Sequence, residues 1–154
     1  MTPAIQRAKR AKIQFKIHEY EHDPTAESYG EEAAAKLEAS SDRVFKTLVV
    51  AHGSDLAVAV LPVSCQLNLK QFAKAVGAKK AAMADKATAE RATGYVLGGV
   101  SPLGQKKALA TVIDASAEGL ETIYVSAGRR GLEIELSPLD LMALTRGRFA
   151  PIGT

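Results

Sequence analysis

Residues 44–63 read VFKTLVVAHGSDLAVAVLPV and hold two β-branched, apolar runs on either side of a polar turn. Val44 to Ala51 and Leu56 to Leu61 are typical of buried strands, and the four residues from His52 to Asp55 predict a tight turn between them. Two such runs joined by a short polar connection indicate a β-hairpin. Pro62 ends the second run, because proline cannot donate a hydrogen bond to a sheet.

On both sides of this hairpin, helical and strand patterns alternate. Five residues whose side chains can accept a hydrogen bond from a backbone amide mark helix starts: Thr2, Ser28, Asn68, Asp85 and Ser137. Besides the hairpin, strands are predicted over 14–20, 95–97, 111–113, 122–125 and 132–136. Five helices and about seven strands, with hairpins and crossovers mixed, indicate an α/β or α+β domain around a mixed sheet.

Composition limits the class of protein. The 154 residues are 47% hydrophobic and 24% charged, which is typical of one folded domain, here residues 1–154. The single cysteine, Cys65, excludes an internal disulfide and a cysteine-based zinc cluster. No apolar run approaches the ~20 residues of a membrane span, and the N-terminus has no apolar signal core. We therefore expect no membrane association and a cytoplasmic location.

The net charge of +3 permits an anionic partner without requiring one. Basic residues, however, come in clusters: Arg7, Lys9, Arg10 and Lys12 near the N-terminus, and the pairs Lys79–Lys80, Lys106–Lys107 and Arg129–Arg130. Such clusters are either solvated faces or contacts for a phosphate backbone. Only eight aromatic residues and no tryptophan argue against a protein that stacks single-stranded bases.

Lys46 is the residue of the hairpin that most needs an explanation. Its apolar neighbours imply burial, and an unpaired ammonium group in a core is costly. Either β-strand 44–51 is an edge strand that carries Lys46 on its outer face, or the lysine lies at the floor of a cleft and meets an anion. The adjacent Thr47 would offer a hydroxyl on the opposite face, or a backbone amide near the same point.

Other chemistry is weakly indicated. The three histidines have no metal-ligand spacing, so we expect no metal and no cofactor. No serine stands in a GxSxG elbow, and nothing next to Cys65 would lower the pKa of its thiol. The glycines at 98–99 and 128–131 form ordinary turns or expose amides to an oxyanion, but they match neither a P-loop nor a dinucleotide fingerprint.

Seven stretches together resemble one family. They are MTPA (1–4), YEHDP (20–24), VFKTL (44–48), LAVAVLPV (56–63), VGAKK (76–80), TGYVLGGVSPLGQKK (93–107) and TIYVSAGRRGLEIEL (122–136). The chain resembles, over nearly its whole length, the YbaK-type Cys-tRNA(Pro) deacylases of the prolyl-tRNA-synthetase editing-domain superfamily. The resemblance implies an α+β domain whose mixed, mostly antiparallel and partly barrel-like sheet is surrounded by helices.

The resemblance also implies a pocket for the 3′ aminoacyl-adenosine of a mischarged tRNA. The family's functional lysine falls on Lys46, and its substrate-binding positions fall on Tyr20, Tyr29, Thr47, Gly98, Ser126, Gly128 and Glu133. Phenylalanine is common at position 29 and aspartate is usual at position 133. The tyrosine hydroxyl and the longer glutamate therefore change the polarity and the reach of the side chains that line the pocket.

For the reaction, the resemblance implies that the thiol of the cysteinyl group attacks its own ester, so that the protein supplies no nucleophile. Lys46 would then anchor or polarise the substrate. The paired basic residues would hold tRNA phosphates, and prolyl-tRNA synthetase is the protein partner that the family suggests. Two alternatives remain open: an Ala- or Ser-tRNA deacylase of the same superfamily, and a non-catalytic module that binds tRNA or a nucleotide.

Overall fold

The structure is a computed structural model that describes residues 1–154. Its α-helices are α1 (Pro3–Ala11), α2 (Tyr29–Lys36), α3 (Leu69–Val76), α4 (Lys86–Thr93) and α5 (Pro138–Thr145). All five predicted N-caps are confirmed, since each cap side chain accepts a hydrogen bond from an amide in the first turn. Helices α3 and α4 end at left-handed glycines, whereas α1 ends at Lys12 in the same conformation.

The strands divide between two sheets. One is antiparallel, in the order β1 (Phe15–Glu19), β7 (Leu132–Leu136), β6 (Ile123–Arg129). The other is mixed, in the order β4 (Ala82–Met83), β2 (Phe45–His52), β3 (Asp55–Pro62), β5 (Ala110–Asp114), β8 (Arg148–Ala150). The predicted hairpin is confirmed as β2 and β3, which pair in register from Phe45 with Pro62 to His52 with Asp55.

Two details of the strand prediction were wrong. Residues 95–97 form a turn, because side chains satisfy their amides: Thr93 Oγ1 accepts from Tyr95 N, and the Glu90 carboxylate accepts from Leu97 N. The second detail is that β4 and β8 were missed. They have two and three residues, which is too short for an alternating pattern to stand out.

The edge of β2 that faces away from β3 is shared by two neighbours. At its start a single parallel bridge joins Val44 to Tyr124 of β6, and near its end Val50 and Ala51 pair with β4. The bridge joins the two sheets without closing them into a barrel. Between these pairings, residues 46–48 have no strand beside them, so the centre of β2 is an open edge inside the fold.

Helix α2 is fastened near this open edge. Buried Glu32 accepts hydrogen bonds from His22 Nδ1 and from the amide of Asp23, both at 2.7 Å. Burial raises the pKa of this carboxyl, but the bonds from His22 and Asp23 outweigh burial and hold it below its ordinary value. The YEHDP segment is thereby tied to α2, while Ala33 and Ala34 pack on Val44 and Val63.

Candidate active site

A cavity of about 370 Å³ opens between the two sheets, beside the open edge of β2. Its walls come from five parts of the chain: the end of β1, the start of α2, β2, the loop after α4, and the β6–β7 hairpin. All but one of the residues that the family resemblance assigned to catalysis or substrate binding line it: Tyr20, Tyr29, Lys46, Thr47, Gly98, Ser126 and Glu133. The tertiary fold thus gathers positions that span more than a hundred residues of sequence.

Lys46 lies in the wall of the cavity and is half-buried. Its Nζ donates a hydrogen bond to the backbone carbonyl of Cys65 at 2.6 Å, and no carboxylate lies within ion-pair distance. Burial lowers the pKa of Lys46, although the charge of Glu31 opposes the shift. One of the three ammonium protons is committed to the protein, so the other two remain for a ligand.

Thr47 has one polar group that is closed off from solvent and two that face the open edge of β2. Its Oγ1 is enclosed by protein atoms and has no hydrogen-bond partner. The Val63 amide donates a hydrogen bond to the Val44 carbonyl, so these two residues form a hydrogen-bonded pair between the two strands. Hydrogen-bonded and non-hydrogen-bonded pairs alternate along antiparallel strands, and Thr47, three residues after Val44, falls in a non-hydrogen-bonded pair. By that alternation the N–H and C=O of Thr47 point away from β3, toward the open edge. A substrate bound at this edge would pair with the backbone N–H and C=O of Thr47.

Glu133 closes the opposite side of the cavity. It lies on β7 and is 6% exposed, and its carboxyl group forms no hydrogen bond with another protein group. Burial raises the pKa of its carboxyl to about 8. At neutral pH most of this side chain is therefore a neutral acid that can donate as well as accept a hydrogen bond.

Tyr20 and Ser126 stand beside Glu133. Burial, followed by the nearby Glu133 charge, raises the pKa of the Tyr20 phenol to about 12, so it remains a hydrogen-bond donor. Ser126 is the register partner of Glu133, and its Oγ accepts from the Gly128 amide at 3.1 Å. Gly128 itself lies outside the cavity wall, where a Cβ would meet Tyr95 and Thr2. Gly128 therefore holds the Ser126 hydroxyl in place through its amide.

The mouth of the cavity is framed by a stacked pair. The Arg130 guanidinium lies 4.1 Å from the centre of the Tyr29 ring and donates to the Leu97 carbonyl at 2.8 Å. Gly98 fits beneath this pair with φ +90, and a Cβ there would lie 2.5 Å from Arg130 Nε and 2.7 Å from the Tyr29 ring. The Gly98 amide has no partner in the protein and is free to bind a ligand.

We expect Gly98→Ala to lower the activity of the site about tenfold or more while the chain still folds. The added methyl group forces Arg130 and Tyr29 apart, and the positive φ adds backbone strain of about 1–3 kcal/mol. Gly53→Ala is the matched control, because Gly53 has φ +63 in the β2–β3 turn with nothing within 4 Å. Equal activity of the two variants in a turnover assay, at equal stability in urea, would contradict a role for the stacked pair.

The basic pairs proposed for tRNA are scattered. Arg130 belongs to the cavity mouth, and its neighbour Arg129 points to Glu19 at 3.8 Å. Lys107 lines a separate groove beside α1, whereas Lys79, Lys80 and Lys106 are exposed and line no major cavity. Sequence reasoning placed Arg130 only on the tRNA backbone and missed Glu27 and Leu97. Leu97 lies inside the quoted 93–107 stretch, directly before Gly98, whereas no motif covers Glu27.

No three His, Cys, Asp or Glu side chains come together in a geometry that could hold a metal ion. None of the helices is long and apolar enough to span a membrane.

The chain is similar to known proteins over its whole length. Residues 22–144 match the aminoacyl-tRNA editing domain family. A candidate Cys-tRNA(Pro)/Cys-tRNA(Cys) deacylase of Enterococcus faecalis, EbsC, is 40% identical over 157 residues, covering 99% of this chain and 93% of that protein.

Solved structures agree on the fold. A candidate trans-editing enzyme for prolyl-tRNA synthetase superposes with a TM-score of 0.85 at 21% identity, covering 100% of this chain and 99% of the other. A second crystal structure, of a protein without an assigned function, superposes at 0.88 with 23% identity and covers 99% and 100%. The family match and the 40% identical relative carry the assignment further than fold: the chain belongs to the aminoacyl-tRNA editing domain family.

Proposed function

We propose that this chain is an aminoacyl-tRNA deacylase that hydrolyses the ester of mischarged Cys-tRNA(Pro), and also accepts Cys-tRNA(Cys). One observation carries the proposal: a cavity of about 370 Å³ is lined by Lys46, which has no ion-pair partner, and by Gly98, whose amide is unpaired, yet neither a histidine nor a cysteine lines it. The protein thus offers binding groups for an activated ester without a paired nucleophile and base. The family membership and the similarity to EbsC support the same reaction.

In the proposed mechanism the substrate supplies the nucleophile. The cysteinyl sulfur bonds to its own carbonyl carbon, the ester C–O bond breaks, and the thiol proton ends on the departing ribose oxygen. The products are free tRNA and a cyclic thiolactone, which water opens to cysteine. The net reaction is ester hydrolysis and needs no oxidant, metal or cofactor.

The residues of the cavity stabilise the charge that develops on the carbonyl oxygen. The amides of Thr47 and Gly98 are unpaired donors, and Lys46 Nζ keeps two protons for the carbonyl or for a neighbouring ribose or phosphate oxygen. Glu133, Tyr20 and Ser126 hold the amino group and the thiol on the other side. Donors fixed in a half-buried site stabilise an oxyanion more than the same donors would in water.

Selectivity comes from this chemistry more than from shape. A pocket separates amino acids that differ by one small group by only about 1–3 kcal/mol. Alanine and proline lack a thiol, so their esters fit without reacting. The basic residues around the cavity hold the tRNA backbone with little sequence preference, and we propose that prolyl-tRNA synthetase presents the tRNA. The reaction takes place where aminoacyl-tRNA is made, in the cytoplasm.

The deciding experiment compares four substrates with the purified chain: Cys-tRNA(Pro), Cys-tRNA(Cys), Ala-tRNA(Pro) and Ser-tRNA carrying the same acceptor stem. We expect rapid loss of the two cysteinyl esters and background loss of the others. Rapid loss of the alanyl ester would reject thiol assistance and indicate an activated water. Tight tRNA binding without acceleration of any ester would reject catalysis altogether.

A further inference from the structure

A second concave surface lies apart from the cavity, between α1, the loop after α4, and the end of α5. We name it the α1 groove; it has a volume of about 320 Å³. Three cations line it, namely Arg7, Arg10 and Lys107, and no acidic side chain does. None of these cations forms an ion pair, although the chain has 17 acidic residues.

The groove is built into the fold. Arg7 and Arg10 are three residues apart on α1 and therefore share one face of the helix. The amides of Lys106 and Lys107 donate to the carbonyls of Thr93 and Ala92, at 2.9 and 3.0 Å, which fixes this segment to the end of α4. The positive charges are thus held near one another before any ligand arrives, against the repulsion that separates like charges.

Gly104 sets how closely the loop approaches α1. It has φ +67, and a Cβ there would lie 2.6 Å from the carbonyl carbon and oxygen of Pro3. Those contacts are backbone atoms, which cannot move aside as a flexible side chain can. Only glycine lets the loop lie against the start of α1 and keep Lys107 opposite Arg7 and Arg10.

The same loop reaches the active-site cavity. Gly98 lines the cavity and Gly104 lines the groove. Six residue steps span at most about 20 Å, so the two sites are within reach of one bound strand that extends from its 3′ end. Guanidinium groups match phosphate oxygens in bidentate geometry, and a lysine adds a point charge.

We infer that the α1 groove binds backbone phosphates of the tRNA acceptor end while the 3′ aminoacyl group occupies the cavity. This inference rests on the proposed function for the identity of the RNA, but the groove itself is defined by its geometry and charge. Arg7, Arg10 and Lys107, rather than Lys79 and Lys80, are then the residues that contact tRNA phosphates. An acidic protein surface is the competing occupant.

The test measures binding of labelled, uncharged tRNA(Pro) by fluorescence anisotropy at several salt concentrations. The groove variant is Arg7→Gln/Arg10→Gln/Lys107→Gln. The control is Lys70→Gln/Lys74→Gln/Lys86→Gln, which removes three exposed cations that form no ion pair and line neither the active-site cavity nor the α1 groove. Both variants lose the same charge, so only the location differs, and circular dichroism checks that both fold.

We expect the groove variant to raise the Kd for tRNA at least tenfold at about 0.1 M salt and to reduce the slope of log Kd against log salt by about 2–3. The control variant should change the Kd and the salt slope far less. With Cys-tRNA(Pro), the groove variant should raise KM and leave kcat unchanged. Equal Kd values for the two variants would overturn the inference and favour a protein partner. Binding uses uncharged tRNA, so a parent chain without deacylase activity would refute the proposed function and leave the groove result standing.

Discussion

Replacing Lys46 with alanine is expected to lower kcat/KM for Cys-tRNA(Pro) at least a hundredfold while the chain remains folded. Removing a single donor that stabilises an oxyanion costs about 10²–10³ in rate, and no other cation in the cavity stands on β2. Stability should change by less than about 1 kcal/mol, because the lysine contributes one bond to the Cys65 carbonyl and its half-buried charge has no ion-pair partner.

Two companion variants make this result specific. Lys46→Arg keeps the charge but spreads it over a planar group, so we expect partial activity. Lys74→Ala removes an exposed charge from α3 and should leave hydrolysis unchanged. The assay follows loss of the radiolabelled cysteinyl ester, and urea unfolding reports stability. Parent-like turnover by Lys46→Ala would remove the lysine from the mechanism.

Glu133→Gln is expected to stabilise the chain at alkaline pH. The native carboxyl has a pKa of about 8 against an ordinary value of 4.5, so between these values the folded state keeps a proton that the unfolded state has released. The free energy of unfolding therefore falls as the pH rises from about 4.5 to 8 and is level beyond. The free energy of unfolding falls by about 1.4 kcal/mol per pH unit, up to about 5 kcal/mol in total. Glutamine does not titrate, so Glu133→Gln removes this pH-dependent loss of stability.

The measurement is urea unfolding of parent and variant between pH 5 and 9. The two should be similar near pH 5 and differ by several kcal/mol at pH 9. Glu135→Gln, two residues along β7, is the control with the opposite sign. Burial raises the pKa of Glu135, but the hydrogen bonds from Thr122 and His18 outweigh burial and lower it, so glutamine there should destabilise at neutral pH. A pH-independent difference between parent and Glu133→Gln would show that the buried carboxyl does not titrate.

The active site lowers the stability of the folded chain. A buried carboxyl without a hydrogen-bond partner weakens the fold, and the orphaned Thr47 hydroxyl does the same. Glu133 lines the cavity, whereas the Thr47 hydroxyl is closed off from it. Groups that a bound substrate would satisfy are typical of sites where stability is given up for function.

Several features follow from local sequence alone. The hairpin, all five helix caps and the end of β3 at Pro62 depend on neighbouring residues, because turn chemistry and capping act over a few positions. The resemblance assigns Lys46 and the other site residues by the spacing of motifs along the sequence, and all of them except Gly128 line one cavity. The short strands β4 and β8 were not predicted, because two or three residues are too few to show an alternating pattern.

Only the tertiary structure decides what those residues can do. Lys46 is available because β6 and β4 pair with the two ends of β2 and leave its centre open, a consequence of pairings between segments far apart in sequence. The same folding buries Glu133 without a partner, moves Gly128 out of the cavity, and brings Lys107 beside α1. Burial and proximity are properties of packed elements, whereas caps, turns and motifs are properties of neighbouring residues.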